Sequence, residues 1–343
     1  MTLNQDRLTI KDDIKNERLD WVDQVKGFTI FLVVYGHNFP FVEKYIYSFH
    51  MPLFIMVAGF FHTKTGSIDS IKKRFKSILV PYFIWSFSLY TFWFFISKNY
   101  GDSASLNLSS IKNFIGVFYA QGGRSYMDWG IPLWFLPAIF ITFLLFYFVE
   151  KIKNTALHCV VLAIVILLGF AYSHYFAMNL PWSINIAMVA LFFYAFGYHF
   201  FEKIMSISQK NAIFIMLTMG LFNFLFYNYN IKIDMYRAYF GNEFYFILNG
   251  ISGSLFILFF FKAFPVFRFL EFIGKFSLTI LAAQLVAMTF IKLMLLLIFH
   301  QTEFQFSEWE RFLYSILQIV LMIPGFFLIN KYIPILNGGY KKI

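Results

Sequence analysis

The sequence predicts an all-α integral membrane protein, a bundle of about ten transmembrane helices with both termini in the cytoplasm. Of its 343 residues, 59% are hydrophobic and only 13% are charged, and the mean hydropathy is +0.66. A soluble domain has about 25% charged residues. The apolar residues also form segments close to the ~20 residues that a helix needs to cross a bilayer. The predicted spans are residues 25–42, 44–62, 77–97, 131–149, 156–176, 183–201, 211–228, 244–262, 276–299 and 310–333.

The distribution of Lys and Arg predicts the orientation of these spans. With the N-terminus inside, 19 of the 28 basic residues lie in cytoplasmic connections and 7 in connections on the other side. Cytoplasmic loops are enriched in Lys and Arg, and an odd number of spans would dilute this bias. We therefore expect residues 1–20 to be a cytoplasmic segment, residues 21–335 the membrane domain and residues 336–343 a cytoplasmic tail.

Composition also excludes several classes of function. A net charge of +10 would suggest nucleic-acid binding in a soluble protein, but here the basic residues form short runs between apolar segments. The single Cys159 allows no intramolecular disulfide and no cysteine-based zinc site, and we expect no metal cofactor. Residues 1–20 are highly charged and no small-residue cleavage site follows the first apolar run, which argues against a cleavable signal peptide.

The first span carries three ionisable residues, Asp23, Lys26 and His37. Such residues are costly inside a membrane and usually face a protein interior or a watery cavity. The 11-residue step from Lys26 to His37 ends about 20° beyond three full turns, so both side chains share a face, roughly 16 Å apart along the axis. Asp23 lies one turn from Lys26, close enough to pair with it.

The second span carries His50, in Ser48-Phe49-His50-Met51-Pro52. A short turn after Asn38 would place His50 at a depth similar to that of His37, in the outer half of the membrane. A histidine there can take the proton from a hydroxyl group, because its ordinary pKa lies near neutrality. A lone histidine more often fills a polar gap between helices, but a pair beside a lysine on the same face favours catalysis.

The third span is preceded by a run of basic residues, Lys72, Lys73, Arg74 and Lys76. Charge-assisted hydrogen bonds to phosphate favour Arg and Lys, so this run suits the phosphates of coenzyme A. Anchoring of a cytoplasmic loop accounts for such a run equally well.

Two outer loops, residues 98–130 and 229–243, mix aromatic and polar residues in a way that suits sugar binding. An ordinary belt of interfacial aromatic residues is an equally good interpretation. The first loop holds Asp102, Gln121, Gly122, Gly123, Arg124, Asp128 and Trp129, and the second holds Tyr229, Asp234, Tyr236, Arg237, Asn242 and Glu243.

These motifs resemble those of the acyltransferase 3 family of membrane O-acyltransferases, over residues 18 to 290 or so. The similar motifs are Asp23-x-x-Lys26-Gly27 with Gly36-His37, then Ser48-Phe49-His50-Met51-Pro52-Leu53-Phe54 with Ala58-Gly59-Phe60, Lys73-Arg74-Phe75-Lys76 with Pro81-Tyr82, and Leu133-Trp134-Phe135-Leu136. Two further motifs, Leu180-Pro181-Trp182-Ser183 and Ala190-Leu191-Phe192-Phe193-Tyr194, are similar to the fucose 4-O-acetylase-like branch.

The resemblance implies transfer of an acetyl group from cytoplasmic acetyl-CoA to a hydroxyl of a cell-surface or exported glycan. The essential histidine of the family falls on His37. Its upstream arginine falls on Lys26, which keeps the charge but cannot make a bidentate bond. The paired arginines of the family at the third helix correspond to Lys73 or Arg74 with Lys76, and Ser77 stands where a second arginine would be.

The resemblance and the residues together give a mechanism. We expect acetyl-CoA to dock on Lys73, Arg74 and Lys76, with its pantetheine arm passing Lys26 and Asp23 to reach His37. His37, alone or with His50, would deprotonate the acceptor, or a histidine would first take the acetyl group as a nucleophile. Trp134 and three residues of the first outer loop, Arg124, Asp128 and Trp129, are the predicted acceptor contacts.

Two other functions stay open from the sequence. One is transfer of succinyl or another acyl group to an exopolysaccharide. The other is transport of a sugar or lipid-linked glycan, although transporters commonly show internal repeats, and none is apparent in the sequence. In each case the predicted location is a bacterial inner or plasma membrane, with membrane lipid around the bundle.

Overall fold

The computed structural model describes residues 19–63, 68–99, 101–300 and 304–339. The predicted cytoplasmic segment 1–20 lies outside this part of the chain except for its last two residues, and the predicted tail 336–343 is described only as far as residue 339. The described chain is helical, with one isolated bridge between Asp234 and Tyr239 and no strand. The predicted all-α class is confirmed.

The helices are named here in chain order. They are α1 Asp20–Gly36, α2 Glu43–Tyr47, α3 His50–Phe60, α4 Ile68–Arg74, α5 Val80–Phe95, α6 Gly101–Ser105, α7 Ser110–Tyr119, α8 Arg124–Met127, α9 Phe135–Val149, α10 Thr155–Tyr175, α11 Ile184–Ser206, α12 Gln209–Phe226, α13 Glu243–Ala263, α14 Arg268–Lys275, α15 Ser277–Phe299 and α16 Glu308–Tyr332. A π-helix, Phe75–Leu79, joins α4 to α5. Short 3₁₀ turns are Ser97–Asn99, Ile131–Trp134, Pro181–Ser183, Tyr227–Tyr229, Met235–Arg237 and Pro334–Asn337.

Eight helical segments in the described part of the chain are long and apolar enough to cross a membrane. They are Ile68–Asn99, Ile131–Val149, Thr155–Tyr175, Pro181–Ser206, Gln209–Tyr229, Glu243–Ala263, Ser277–Ile298 and Glu308–Tyr332. They coincide with the last eight predicted spans, so the chain is a multi-pass membrane protein. The first predicted span overlaps α1, of 17 residues, and the second contains α3, of 11 residues. Both are shorter than the ~20 residues of a full span, so the count of ten stays a prediction.

The short helix α14 lies against α1 with the two backbones in contact. A Cβ atom on Gly27 would lie 1.8 Å from the carbonyl oxygen of Leu270, and one on Gly274 would lie 1.9 Å from that of Asp23. Small residues at such crossings allow membrane helices to approach closely. The Gly27 of the first motif is therefore explained by packing.

A second close crossing joins α3 to α11. A Cβ on Gly59 would lie 2.2 Å from the carbonyl oxygen of Tyr194, and one on Gly197 would lie 2.0 Å from that of Met56. This contact fixes α3 in the centre of the bundle, with His50 at one end and Phe60 at the other. We call the end of the bundle near His50 the outer end and the end near Phe60 the inner end, after the orientation that the charge distribution predicts.

Candidate active site

A cavity at the outer end of the bundle is lined by both histidines of the first two predicted spans. It holds about 520 Å³ of empty space, part of it open to solvent. Its polar and aromatic walls are His37, Tyr47, His50, Trp134, Asp234 and Tyr236, and its apolar walls are Val33, Met51, Ile131, Pro132, Ile233, Met235 and Leu281. The structure thus brings together three predicted site residues, His37, His50 and Trp134.

The ring of His50 is held in one tautomer. Its Nδ1 lies 2.9 Å from the carbonyl oxygen of Ile46, one turn earlier in the chain. A carbonyl oxygen can only accept, so Nδ1 carries the proton and, in the neutral ring, Nε2 has a free lone pair. His50 is only 7% exposed, and a buried histidine held in this way is suited to accept a proton or a hydrogen bond.

His37 lies just beyond the end of α1, where the helix is fixed to α16. The neighbouring Asn38 side chain donates to the hydroxyl of Ser315 at 2.9 Å and to the amide oxygen of Gln318 at 3.1 Å. His37 as a residue is partly exposed, and its ring has no hydrogen bond to any of the described residues. The rings of His37 and His50 line the same cavity.

Tyr47 is a cavity residue that the sequence analysis missed. Its ring packs on that of His50, with 4.9 Å between centroids. It also touches α1 at Gly36, where a Cβ atom would lie 2.6 Å from the tyrosine ring. The signal in the sequence was an aromatic residue one turn before His50. The glycine before His37 makes room for the ring that supports His50.

The outer loop 229–243 is cross-linked by the side chain of Asn230. Its Nδ2 donates to the carbonyl oxygens of Phe240, at 3.0 Å, and Asn242, at 3.2 Å. Its Oδ1 accepts from the backbone N–H groups of Ile231 and Asn242, both at 2.9 Å. An ion pair of 2.8 Å between Lys232 and Glu43 ties the loop to α2. The loop is a rigid wall of the cavity.

Asp234 places a carboxyl group in this wall. Burial raises its pKa from the ordinary value to about 6, although the positive charges of Arg237 and Lys232 act in the opposite direction. The backbone of Asp234 is paired with that of Tyr239 through two hydrogen bonds, of 2.8 and 3.0 Å. Asp234 is therefore an anchored carboxylate at neutral pH, able to accept hydrogen bonds from hydroxyl groups in the cavity.

The other predicted acceptor residues lie outside the cavity. Asp128 accepts from Arg124 Nε at 2.8 Å and from Trp93 Nε1 at 2.9 Å. Trp129 is 5% exposed, and its Nε1 donates to the carbonyl oxygen of Asn113 at 2.9 Å. These contacts hold the loop 98–130 together. A role for Arg124, Asp128 and Trp129 in acceptor binding stays a prediction, and their geometry is that of structural residues.

The predicted donor residues lie at the inner end. Arg74 is half-buried, with Nη2 donating to the carbonyl oxygen of Phe61 at 2.7 Å and its guanidinium group 5.6 Å from the ring centre of Phe143. Lys73 and Lys76 are exposed. A π-helix, a feature often found at functional sites, begins at the residue after Arg74. One half-buried arginine and two exposed lysines fit a ligand that carries several phosphate groups.

Lys26 pairs with Asp23 as the spacing predicted, at 2.8 Å. The lysine side chain is 29% exposed and the aspartate side chain 8%. Neither residue lines the outer cavity. Their predicted place on the route of the pantetheine arm stays a prediction.

Comparison with known proteins identifies the family of the chain. A family model described as an acyltransferase domain, that of the acyltransferase 3 family, matches residues 19–331. The chain belongs to this family. No curated protein and no solved structure matches it. The protein is therefore a membrane acyltransferase, and this assignment replaces the transporter alternative. The fucose 4-O-acetylase-like branch stays a prediction.

The acyltransferase has a second polar cluster, at the inner end, that the sequence analysis missed. His62 lies between the hydroxyl of Tyr194, 2.9 Å from its Nδ1, and the carboxylate of Glu150, 3.1 Å from its Nε2. The hydroxyl of Tyr198 also donates to Glu150. The signal available in the sequence was weak, since it consisted of one histidine and one glutamate at the ends of two separate apolar spans. We call these four residues the His62 cluster.

Proposed function

We propose that this acyltransferase moves an acetyl group from cytoplasmic acetyl-CoA to a hydroxyl of a cell-surface or exported glycan, in a bacterial inner or plasma membrane. The observation that carries the proposal is the pair of histidines in one outer cavity, with the tautomer of His50 fixed by the Ile46 carbonyl. The family assignment supports acyl transfer. The acetyl group, its coenzyme A carrier and the glycan are parts of the proposal.

In the proposed mechanism, His37 contacts the acceptor hydroxyl because it is the more exposed of the two residues. It takes the hydroxyl proton while the oxygen attacks the thioester carbonyl. The carbon–sulfur bond then breaks and the thiolate of coenzyme A takes the proton back from the imidazolium group, so no net proton is released. The neutral His50 keeps its lone pair on Nε2 and stabilises the charged His37 during the transfer.

The alternative mechanism has a histidine attack acetyl-CoA first and form an acetyl-histidine. Incubation of the purified protein with radiolabelled acetyl-CoA and no acceptor separates the two mechanisms. Label that stays on the denatured protein, and is absent from His37→Gln, would replace direct transfer with the two-step mechanism.

The acceptor is proposed to lie between Trp134, Tyr236 and Asp234. Aromatic ring faces stack on the C–H bonds of sugars, and the Asp234 carboxylate can accept hydrogen bonds from two neighbouring hydroxyl groups. All three side chains line the cavity that holds the histidines. A sugar bound in this way would have a hydroxyl group within reach of His37.

The preference for acetyl over succinyl is supported by a closed apolar crevice beside Trp134, which is too narrow for a water molecule and therefore favours the smallest acyl group. It is lined by Ile55, Ala138 and Ile139, among others. Thr142, the polar residue of the crevice, already donates to the carbonyl oxygen of Ala138 at 2.8 Å. The crevice offers no cation to a succinyl carboxylate, and burying an unpaired charge is costly.

The test is glycan O-acetylation, measured by NMR in cells that carry the wild-type protein or His37→Ala. We expect acetylation to be lost in His37→Ala and kept in His174→Ala, a matched control because His174 is exposed on α10. Full acetylation with well-expressed His37→Ala would overturn the catalytic assignment. If the purified wild-type protein does not bind acetyl-CoA at about millimolar ligand, its Kd is too weak for a useful donor site. This result would overturn the choice of donor.

A further inference from the structure

The His62 cluster lies at the inner end of the bundle, with His62 at its centre. His62 is 1% exposed and makes a hydrogen bond through each ring nitrogen, to Tyr194 and to Glu150. A carboxylate only accepts, so Nε2 carries a proton. Nδ1 accepts from the Tyr194 hydroxyl when the ring is neutral and donates to its oxygen when the ring is charged. The ring is therefore held in the same place in both protonation states.

His62 also supports Arg74, in two ways. The carbonyl that accepts from Arg74 Nη2 belongs to Phe61, the residue immediately before His62. The ring of Phe143, on which the guanidinium group rests, lies 5.3 Å from the imidazole ring, centroid to centroid. A fixed His62 thus fixes both the backbone oxygen and the aromatic ring that hold Arg74.

The contacts of Arg74 leave part of the guanidinium group available. Within the described ranges, Nη2 is the nitrogen of Arg74 that makes a hydrogen bond, and neither Nε nor Nη1 has one. These are two of the donors of the planar fork that binds phosphate in a bidentate way. Bidentate binding depends on the orientation of the plane, so the contacts that set this orientation matter to affinity.

We propose that His62 is a positioning residue for the acyl donor. Held by Tyr194 and Glu150, it sets the orientation of Arg74, so that Nε and Nη1 face a phosphate group of the donor. The proposal rests on the proposed function, because it takes the donor to be a coenzyme A thioester. It adds a residue that acts on donor affinity through Arg74 and touches neither the reacting atoms nor the acceptor.

The test compares four variants with the wild-type protein in acetyl transfer and in binding of coenzyme A. His62→Phe keeps a ring against Phe143 and removes both polar contacts, whereas His62→Gln keeps an N–H group for Glu150. We expect His62→Phe to raise both the KM for acetyl-CoA and the Kd for coenzyme A about tenfold. The kcat and the acceptor KM of this variant should stay within about twofold of the wild type. His62→Gln should have most of the wild-type affinity for the donor. Arg74→Lys should have a similar effect, and His174→Phe, an exposed matched control, none.

The double variant His62→Phe with Arg74→Lys gives the sharpest result. If His62 acts through Arg74, the double variant has nearly the donor KM of Arg74→Lys alone, because the two changes remove the same contact. Multiplied effects, or a His62→Phe enzyme with the donor KM and Kd of the wild type, would overturn the proposal and leave the proposed function intact. A wild-type protein that neither binds coenzyme A nor uses acetyl-CoA would overturn both.

One further comparison separates positioning from a general loss of folding. If His62→Phe is too unstable to purify, Glu150→Gln replaces it, because glutamine keeps an oxygen for the imidazole and a group for Tyr198 while removing the charge. We expect Glu150→Gln to raise the donor KM about threefold, a smaller effect than that of His62→Phe. A lower thermal midpoint with an unchanged donor KM in either variant would show a purely structural role and overturn the proposal.

Discussion

Replacement of His37 by glutamine separates catalysis from folding in a way that the structure makes quantitative. The His37 ring has no hydrogen bond to the described residues, so its loss removes no such contact and should change stability by no more than about 0.5 kcal/mol. Removal of a general base typically lowers the rate about 10²- to 10⁴-fold, equivalent to about 2.7–5.5 kcal/mol of transition-state stabilisation. We therefore expect a stable protein that is almost inactive.

The assay is acetyl transfer by purified protein in lipid nanodiscs, with acetyl-CoA and a candidate glycan saturating, alongside thermal unfolding. The expected result is a kcat at least a hundredfold below that of the wild type, with an unchanged thermal midpoint and an unchanged Kd for coenzyme A. His50→Asn is the matched comparison, since the amide nitrogen of asparagine takes the place of Nδ1 and keeps the bond to Ile46. It should lower kcat as well, but by less.

Two results would refute this reasoning. A His37→Gln protein with kcat within tenfold of the wild type would show that the base is another group. A His50→Asn protein with a larger loss than His37→Gln, at equal stability, would reverse the roles of the two rings and make His50 the base.

Three further predictions follow from other contacts. In the wild type, the Asp234 carboxyl has a pKa near 6 and gains a proton as the pH falls from about 7.5 to about 5, so the acceptor KM should rise over that range. Asp234→Asn should raise the acceptor KM about tenfold and make this KM independent of pH. A flat wild-type profile would contradict this. Gly27→Val places its side chain against the carbonyl oxygen of Leu270 and should lower the thermal midpoint strongly. Gly325→Ala, where a Cβ atom meets open space, should leave the midpoint unchanged. Equal midpoints for the two variants would refute the close crossing of α14 and α1. Arg74→Lys should raise the acetyl-CoA KM about tenfold with kcat little changed, because lysine lacks the planar fork; an unchanged KM would remove Arg74 from the donor site.

The membrane architecture was predictable because long apolar segments carry their own signal. From residue 131 onward, the predicted spans begin and end within about five residues of the observed helices. The first two spans were harder because α1 and α3 are central helices. They can be short and polar, since their neighbours surround them, and a length criterion based on the bilayer does not apply well to them.

The outer cavity was partly predictable. His37 and His50 were identifiable because ionisable side chains inside apolar spans are costly and therefore informative. Asp128 and Trp129 have the same residue types as a sugar site, and only their contacts with Trp93 and Asn113 show that they hold a loop together. Composition cannot distinguish a polar side chain that faces a cavity from one whose hydrogen bonds are all made to neighbouring residues.

The His62 cluster was not predictable. Its members stand at positions 62, 150, 194 and 198, on three segments that are far apart in the chain and that come together near the close crossing of α3 and α11. Contacts between segments so distant in the chain leave no local motif in the sequence.

The cross-linked loop 229–243 has a consequence for the energetics of acceptor binding. Fixing the backbone of one free residue costs about 1–2 kcal/mol of conformational entropy. Asn230 already ties both ends of the loop together, so this entropy is lost when the protein folds and not when a ligand binds. Binding of an acceptor in the cavity therefore costs conformational entropy of the acceptor but little further entropy of the loop 229–243. Even a weakly held hydroxyl compound, with few contacts, can then be selected by shape.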